Sequence, residues 1–154
     1  MIATKKKRVL AVASGGGHWV QLRRLSKAFE DFEVSYATVH PDYRMDVPNE
    51  ADFHVLRDAT RWDKWGLVVL ACQTLLLLHR VRPDCIVTTG AAPGYLALRF
   101  GKLFGAKTVW IDSIANAEEM SLSGRRVRRF ADLWLTQWEH LSQPGGPLFW
   151  GSVL

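Results

Sequence analysis

Residues 8–29 read RVLAVASGGGHWVQLRRLSKAF, and this stretch decides the fold. Val9 to Ala13 are apolar without interruption, the signature of a strand buried on both faces. Ser14-Gly15-Gly16-Gly17-His18 then breaks the run, and Leu22, Leu25 and Phe29 return at helical spacing. A strand that turns through glycines into a helix gathers bare backbone amides and a positive helix terminus at one point, an arrangement suited to phosphate. His18 stands beside that point, where a neutral imidazole can take a proton at cytoplasmic pH. Read alone, the same segment also fits a tight turn with a surface histidine.

Outward from this turn the chain alternates. Apolar runs at 8–13, 33–39, 51–56, 84–89, 107–111 and 132–136 read as six strands, with helical segments between most of them. That order predicts an α/β fold, a Rossmann-like parallel sheet with right-handed crossovers and helices on both faces. Two more loops fall at the carboxyl ends of strands, where open α/β sheets bind ligands. They are Thr88-Thr89-Gly90-Ala91-Ala92-Pro93-Gly94, leading into a helix begun by Pro93, and Asp112-Ser113-Ile114-Ala115-Asn116. Asp112 alone fits a helix cap or a loop tether as well as a ligand contact.

Composition bounds what such a site serves. The 154 residues, 48% hydrophobic and 23% charged, suit one globular domain with a substantial core. The formal charge of +5 points to anionic partners. It is concentrated in Lys5-Lys6-Lys7-Arg8 and in Arg125-Arg126-Val127-Arg128-Arg129, each readable as a solvated face. Cys72 and Cys85 lie in apolar segments, and the beginning of the sequence has no signal-peptide pattern. Two buried thiols in a reducing cytoplasm are expected.

The run GLVVLACQTLLLL at 66–78 is too short to span a bilayer. Trp62 and Trp65 precede it and His79, Arg80 and Arg82 follow, the order of an interfacial helix. A helix packed on the sheet fits the same run. Membrane contact through Trp62, Trp65, Leu75, Leu76 and Arg80 is the expectation if the first reading holds.

Familiar nucleotide motifs fail. The third glycine of a dinucleotide fingerprint is replaced by Val20, and the second strand ends Thr38-Val39-His40 with no acid for a ribose. Gly101-Lys102 is followed by Leu103, which excludes a P-loop. The five histidines show no metal-ligand spacing, so no metal and no cofactor are expected.

The motifs, taken together and in order, resemble a known family. Ser14-Gly15-Gly16-Gly17-His18 with Gln21-Leu22, the Thr88–Gly94 loop, Trp110-Ile111-Asp112-Ser113-Ile114-Ala115-Asn116, Ser121-Leu122-Ser123-Gly124-Arg125 and Ala131-Asp132-Leu133-Trp134-Leu135-Thr136-Gln137-Trp138 look like bacterial PssD-type polysaccharide-biosynthesis subunits. These are similar to the asparagine-linked-glycosylation subunit fourteen of eukaryotes. The resemblance covers nearly the whole chain. It implies the acceptor-side half of a split GT-B glycosyltransferase, similar to the N-terminal domain of MurG, with a small separate subunit holding the donor. Such enzymes move a sugar from a UDP-sugar donor to a polyprenyl- or dolichyl-diphosphate-linked acceptor at the cytoplasmic membrane face; nucleic acid has no part.

By that analogy His18 deprotonates the attacking hydroxyl or binds phosphate. Ser14, Gly15, Gly16, Gly17, Thr89, Gly90, Ala91, Pro93 and Gly94 hold the acceptor diphosphate, and Asp112, Ser113 and Asn116 line the same cleft. A lone base without a covalent nucleophile implies inversion. Where eukaryotic members often carry a membrane anchor, this sequence starts Met1-Ile2-Ala3-Thr4, which moves the expected contact to 66–78. A domain at 1–142 leaves 143–154 as a tail released by Gly145-Gly146-Pro147, with Phe149, Trp150, Val153 and Leu154 as the expected docking segment for the donor subunit. A non-catalytic membrane scaffold and a stand-alone nucleotide enzyme are the alternatives of other classes.

Overall fold

A computed structural model of the chain describes residues 5–153; Met1–Thr4 and Leu154, named above, lie outside them. One parallel sheet of seven strands runs in the order β3-β2-β1-β4-β5-β6-β7. β1 (Arg8–Val12), β2 (Glu33–Thr38), β3 (Asp52–Val55), β4 (Cys85–Thr88), β5 (Lys107–Ile111) and β6 (Leu133–Thr136) realise the six expected strands. The order reverses between β1 and β4, which creates a switch point at their carboxyl ends.

The alternation of side chains in β1 divides the core. Leu10 and Val12 face one layer with Leu70, Leu78, Ile86, Leu98, Trp110 and Val127, under α2 (Lys64–Val81), α3 (Ala91–Gly101) and α4 (Leu122–Arg126). Val9, Ala11 and Ala13 face the other with Trp19, Leu22 and Phe29, under α1 (Gly17–Arg24) and the 3-10 turn after it. Both faces are thus covered, as parallel sheets require.

Three expectations are corrected. The segment after residue 142 is not a released tail: Leu148–Phe149 add β7, parallel to β6. An unpaired β6 edge would leave backbone groups without partners, and the return of the chain supplies them. Farther on, the Val153 amide donates to Gln137 Oε1 at 2.7 Å. The two thiols are not both buried. Cys72 is exposed on α2 and Cys85 is half-buried, because α2 packs only one side on the sheet. Burial and the nearby Asp132 and Asp84 carboxylates push the Cys85 thiol up. Finally, α3 begins at Ala91, two residues before Pro93.

The run read as too short to span a bilayer belongs to a longer helix: α2 is long and apolar enough to cross a membrane by length and composition, and only 28% of it is buried. Leu70, Thr74, Leu77 and Leu78 face the sheet. Trp65, Val68, Cys72, Leu75, Leu76, His79 and Arg80 form the exposed side, at spacings that lie along one helix face. Trp62, just before the helix, is 79% exposed, Trp65 73% and Leu76 70%. Both tryptophans are thus on the surface.

Candidate functional site

The three loops foreseen in the sequence converge at the switch point. His18, in the first turn of α1, reaches across to the loop after β4. Its Nδ1 lies 2.8 Å from the Thr89 carbonyl. A carbonyl only accepts, so Nδ1 carries a proton, and in the neutral ring the lone pair is on Nε2. Thr89 Oγ1 donates back to the His18 carbonyl at 2.6 Å. This reciprocal pair fixes the ring's tautomer and direction.

The loops take shapes that side chains oppose. Gly16 has φ 63° and Gly90 φ 127°, both in the region that glycine tolerates best. A Cβ on Gly90 would sit 2.8 Å from His18 Cε1, so the imidazole rests against bare backbone. Ala91 follows with φ 66°, strain stored beside the site. The Gly15 position is closed by the His40 ring. α1 and α3 both point their amino ends at this place, and the first amides of a helix have no partner within it.

The other expected contacts divide by role. Pro93 and Gly94 are buried, and Gly94 allows α3 to press on Thr88 of β4. The Asp112 carboxylate, 2% exposed, is not free for a ligand. It accepts from Trp110 Nε1 at 3.0 Å, Asn116 Nδ2 at 3.1 Å, and the Ser121 amide and hydroxyl at 2.8 and 2.6 Å. Asn116 and Asp112 therefore tether the loop to the start of α4. Ser113 is buried too; its hydroxyl accepts from Gln21 at 3.1 Å and from the Ala115 amide at 3.3 Å. Ser14 is half-buried, and its carbonyl accepts from Thr38 at 3.4 Å.

Comparison with known proteins names this arrangement. Residues 64–149 match the family model described as "Oligosaccharide biosynthesis protein Alg14 like". The chain belongs to that Alg14-like family. The UDP-N-acetylglucosamine transferase subunit ALG14 of Yarrowia lipolytica is 32% identical over 88% of this chain and 76% of its own length. The mouse protein of the same name is 26% identical over 88% and 77%. Among solved structures, Acinetobacter baumannii MurG superposes with a TM-score of 0.78 at 11% identity, covering 96% of this chain and 46% of its own. That likeness gives the fold, one Rossmann-like half of a GT-B glycosyltransferase.

The structure of this Alg14-like chain also brings in residues to which the sequence assigned no role. Tyr43, on the 3-10 turn Pro41–Asp46, stacks on Trp19 with ring centroids 5.2 Å apart, and its hydroxyl accepts from the Gly16 amide at 3.0 Å. Trp19 Nε1 donates to Asp46 at 2.8 Å. The turn after β2 thus walls the glycine loop. Gln21 donates to Ser113 and to the Gly17 carbonyl and accepts from the Ile114 amide and from Gln137. Gln137 also donates to the Asp112 carbonyl at 2.8 Å. Position His40 at a strand's carboxyl end was a legible signal for the wall; Gln137 stood in a quoted motif, but nothing local gave it a partner.

Proposed function

We propose that this chain is the acceptor-binding subunit of a two-component inverting glycosyltransferase, peripheral on the cytoplasmic face of a membrane. Its donor is a UDP-sugar, by its relatives' names UDP-N-acetylglucosamine, and its acceptor a saccharide on a lipid diphosphate. The observation that carries this reading is the His18–Thr89 pair, which leaves Nε2 as a free base at the mouth of two helix termini.

In the reaction, His18 Nε2 takes the proton of the attacking sugar hydroxyl as it bonds to the anomeric carbon. The UDP diphosphate leaves from the opposite side, and a single displacement inverts the centre. Amides of the glycine turn and of the Gly90-Ala91 bend hold the acceptor diphosphate against the positive ends of α1 and α3. Thr89 positions His18, and Asp112, Ser113 and Asn116 keep the third wall in place. A GT-B site lies between two halves, and the relatives' names as transferase subunits support placing the donor half on another polypeptide. The exposed Trp150 and the edge at Phe149 and Val153 offer the docking surface for that subunit.

The apolar side of α2 supports membrane contact. Its tryptophans at one end and His79 and Arg80 at the other suit a helix lying in the headgroup zone. The test of the catalytic reading is His18→Ala in the complex with the donor subunit. Transfer falls by about 10²–10⁴-fold with the complex intact; unchanged transfer would leave this chain a membrane scaffold.

A further inference from the structure

The basic run before β1 has no part in this chemistry, yet it lines a cavity. At the amino ends of β1, β4 and β5, opposite the candidate active site, a pocket of about 550 Å³ is lined by Lys7, Arg8, His79, Arg82, Asp84 and Lys107, with Phe104 at its rim. Parallel pairing assembles it. The Asp84 amide donates to the Arg8 carbonyl and the Lys107 amide to the Asp84 carbonyl, each at 2.9 Å. Four permanent cations face one carboxylate.

Internal contacts account for only part of this charge. Arg8 donates to the Val81 carbonyl at 3.0 Å and lies 3.9 Å from Asp84. Arg82 Nε donates to the His79 carbonyl at 3.4 Å. Lys7 and Lys107 are exposed, and among the described residues neither joins an ion pair. Their backbones stand about 12 Å apart, two strand spacings across and two residues along, with Asp84 between them already engaged by Arg8. The surroundings are apolar. Phe104 is partly exposed and Leu103 beside it is 78% exposed. His79 lies three and four residues after Leu76 and Leu75, so the exposed side of α2 runs straight into the pocket.

We propose that this pocket binds the phosphate of an anionic phospholipid headgroup, with Lys7 and Lys107 as its principal ligands. The proposal rests on α2 being interfacial. α2 starts at the carboxyl edge of the sheet and ends at the amino edge, about 27 Å away at 1.5 Å per residue. A headgroup held at the lower end lays the helix along the bilayer surface and keeps the His18 site, at the upper end, beside the membrane. A soluble phosphate meets the same cations, but it has no use for the apolar rim or for the α2 face.

The experiment is sedimentation of the full chain with vesicles of phosphatidylcholine alone and of phosphatidylcholine mixed with phosphatidylglycerol, at low and high salt. Lys7→Gln/Lys107→Gln weakens binding to the anionic vesicles at low salt by about 25-fold, roughly fivefold per lysine, and leaves binding to neutral vesicles unchanged. Lys27→Gln, one charge removed outside the pocket lining, changes it less than twofold. Both altered lysines are exposed, so melting curves match the wild type. Equal binding of the double variant and the wild type to anionic vesicles overturns the proposal. So does glycerol 3-phosphate that shifts the pocket's amide resonances at millimolar concentration while vesicle charge makes no difference, since the site then serves a soluble anion. If instead Leu75→Glu/Leu76→Glu leaves binding to neutral vesicles intact, the interfacial reading of α2 itself fails.

Discussion

Gly90→Ala probes the site at its most constrained atom. The backbone there has φ 127° and ψ −169°, a region nearly reserved for glycine, and an alanine held in it costs about 1–3 kcal/mol. The new Cβ would also lie 2.8 Å from His18 Cε1, so the ring must shift and stretch its 2.8 Å bond to Thr89, a loss of about 1 kcal/mol. Together these come to about 3 kcal/mol, enough to lower the melting temperature by about 6–12 °C for a domain of this size, yet within the stability of a typical domain. The variant should therefore fold, melt early and lose transfer by more than tenfold, because Nε2 no longer points where the hydroxyl arrives. Gly16→Ala is the control: its φ is 63°, but nothing lies within 4 Å of the added carbon, so it measures strain without the clash. Melting followed by circular dichroism and transfer assayed with the donor subunit decide the matter. A Gly90→Ala protein that melts within a degree of wild type and transfers within twofold would refute this account of how His18 is held.

Four further outcomes follow from particular contacts. Asp112→Asn replaces an acceptor of four donors by a group that accepts at one oxygen only, so denaturant unfolding should show a loss of about 2–3 kcal/mol; a loss under 0.5 would contradict the tether. At Asp132 burial raises the pKa, but bonds from Lys102 and from the Thr108 amide and hydroxyl outweigh it and hold the carboxyl below its ordinary 3.8. The stability that Asp132 adds is thus complete above that value and lost as pH falls through the lowered one, so the gap in melting temperature between wild type and Asp132→Asn should close only below about pH 3.8. Under native conditions one thiol, Cys72, should react rapidly with iodoacetamide and Cys85 only on unfolding; peptide mapping distinguishes them. Vesicles that bind the α2 face should slow the Cys72 reaction at least fivefold, and an unchanged rate would place that face away from lipid.

Much of the architecture was written locally. Six apolar runs separated by helical spacing specify a parallel sheet, and the glycines after the first and fourth strands mark its ligand edge, because both signals depend on neighbours in sequence. β7 escaped, since two residues between prolines and glycines show no period, and only the open edge of β6 gives them a partner. Cys72 was misjudged for a related reason: a helix apolar on every side does not reveal which side the sheet takes. Asp112 lies where a ligand contact belongs, but Ser121, which satisfies it, is nine residues away. Gln21 and Gln137 are 116 residues apart, and neither has meaning without the other.

That glutamine pair ties the site to the far end of the chain. All four hydrogen-bonding positions of the Gln21 amide are used: two donors go to Gly17 and Ser113, and its oxygen receives Ile114 and Gln137. Gln137 in turn accepts from the Val153 amide, while Arg24 at the end of α1 donates to the Val153 carbonyl at 3.4 Å. Gln21 is one turn after His18 on the same short helix. The segment after β7 is therefore joined, through a part-buried bond, to the buried network of the helix that carries the base and of the loop that Asp112 holds. A buried amide network is stable only when every member is satisfied, so a partner that drew the Val153 segment away would leave Gln137 short of a donor and loosen α1 and the 112–116 loop together. Under the docking proposed above, a partner must therefore leave the Val153–Gln137 bond in place if His18 is to stay aligned.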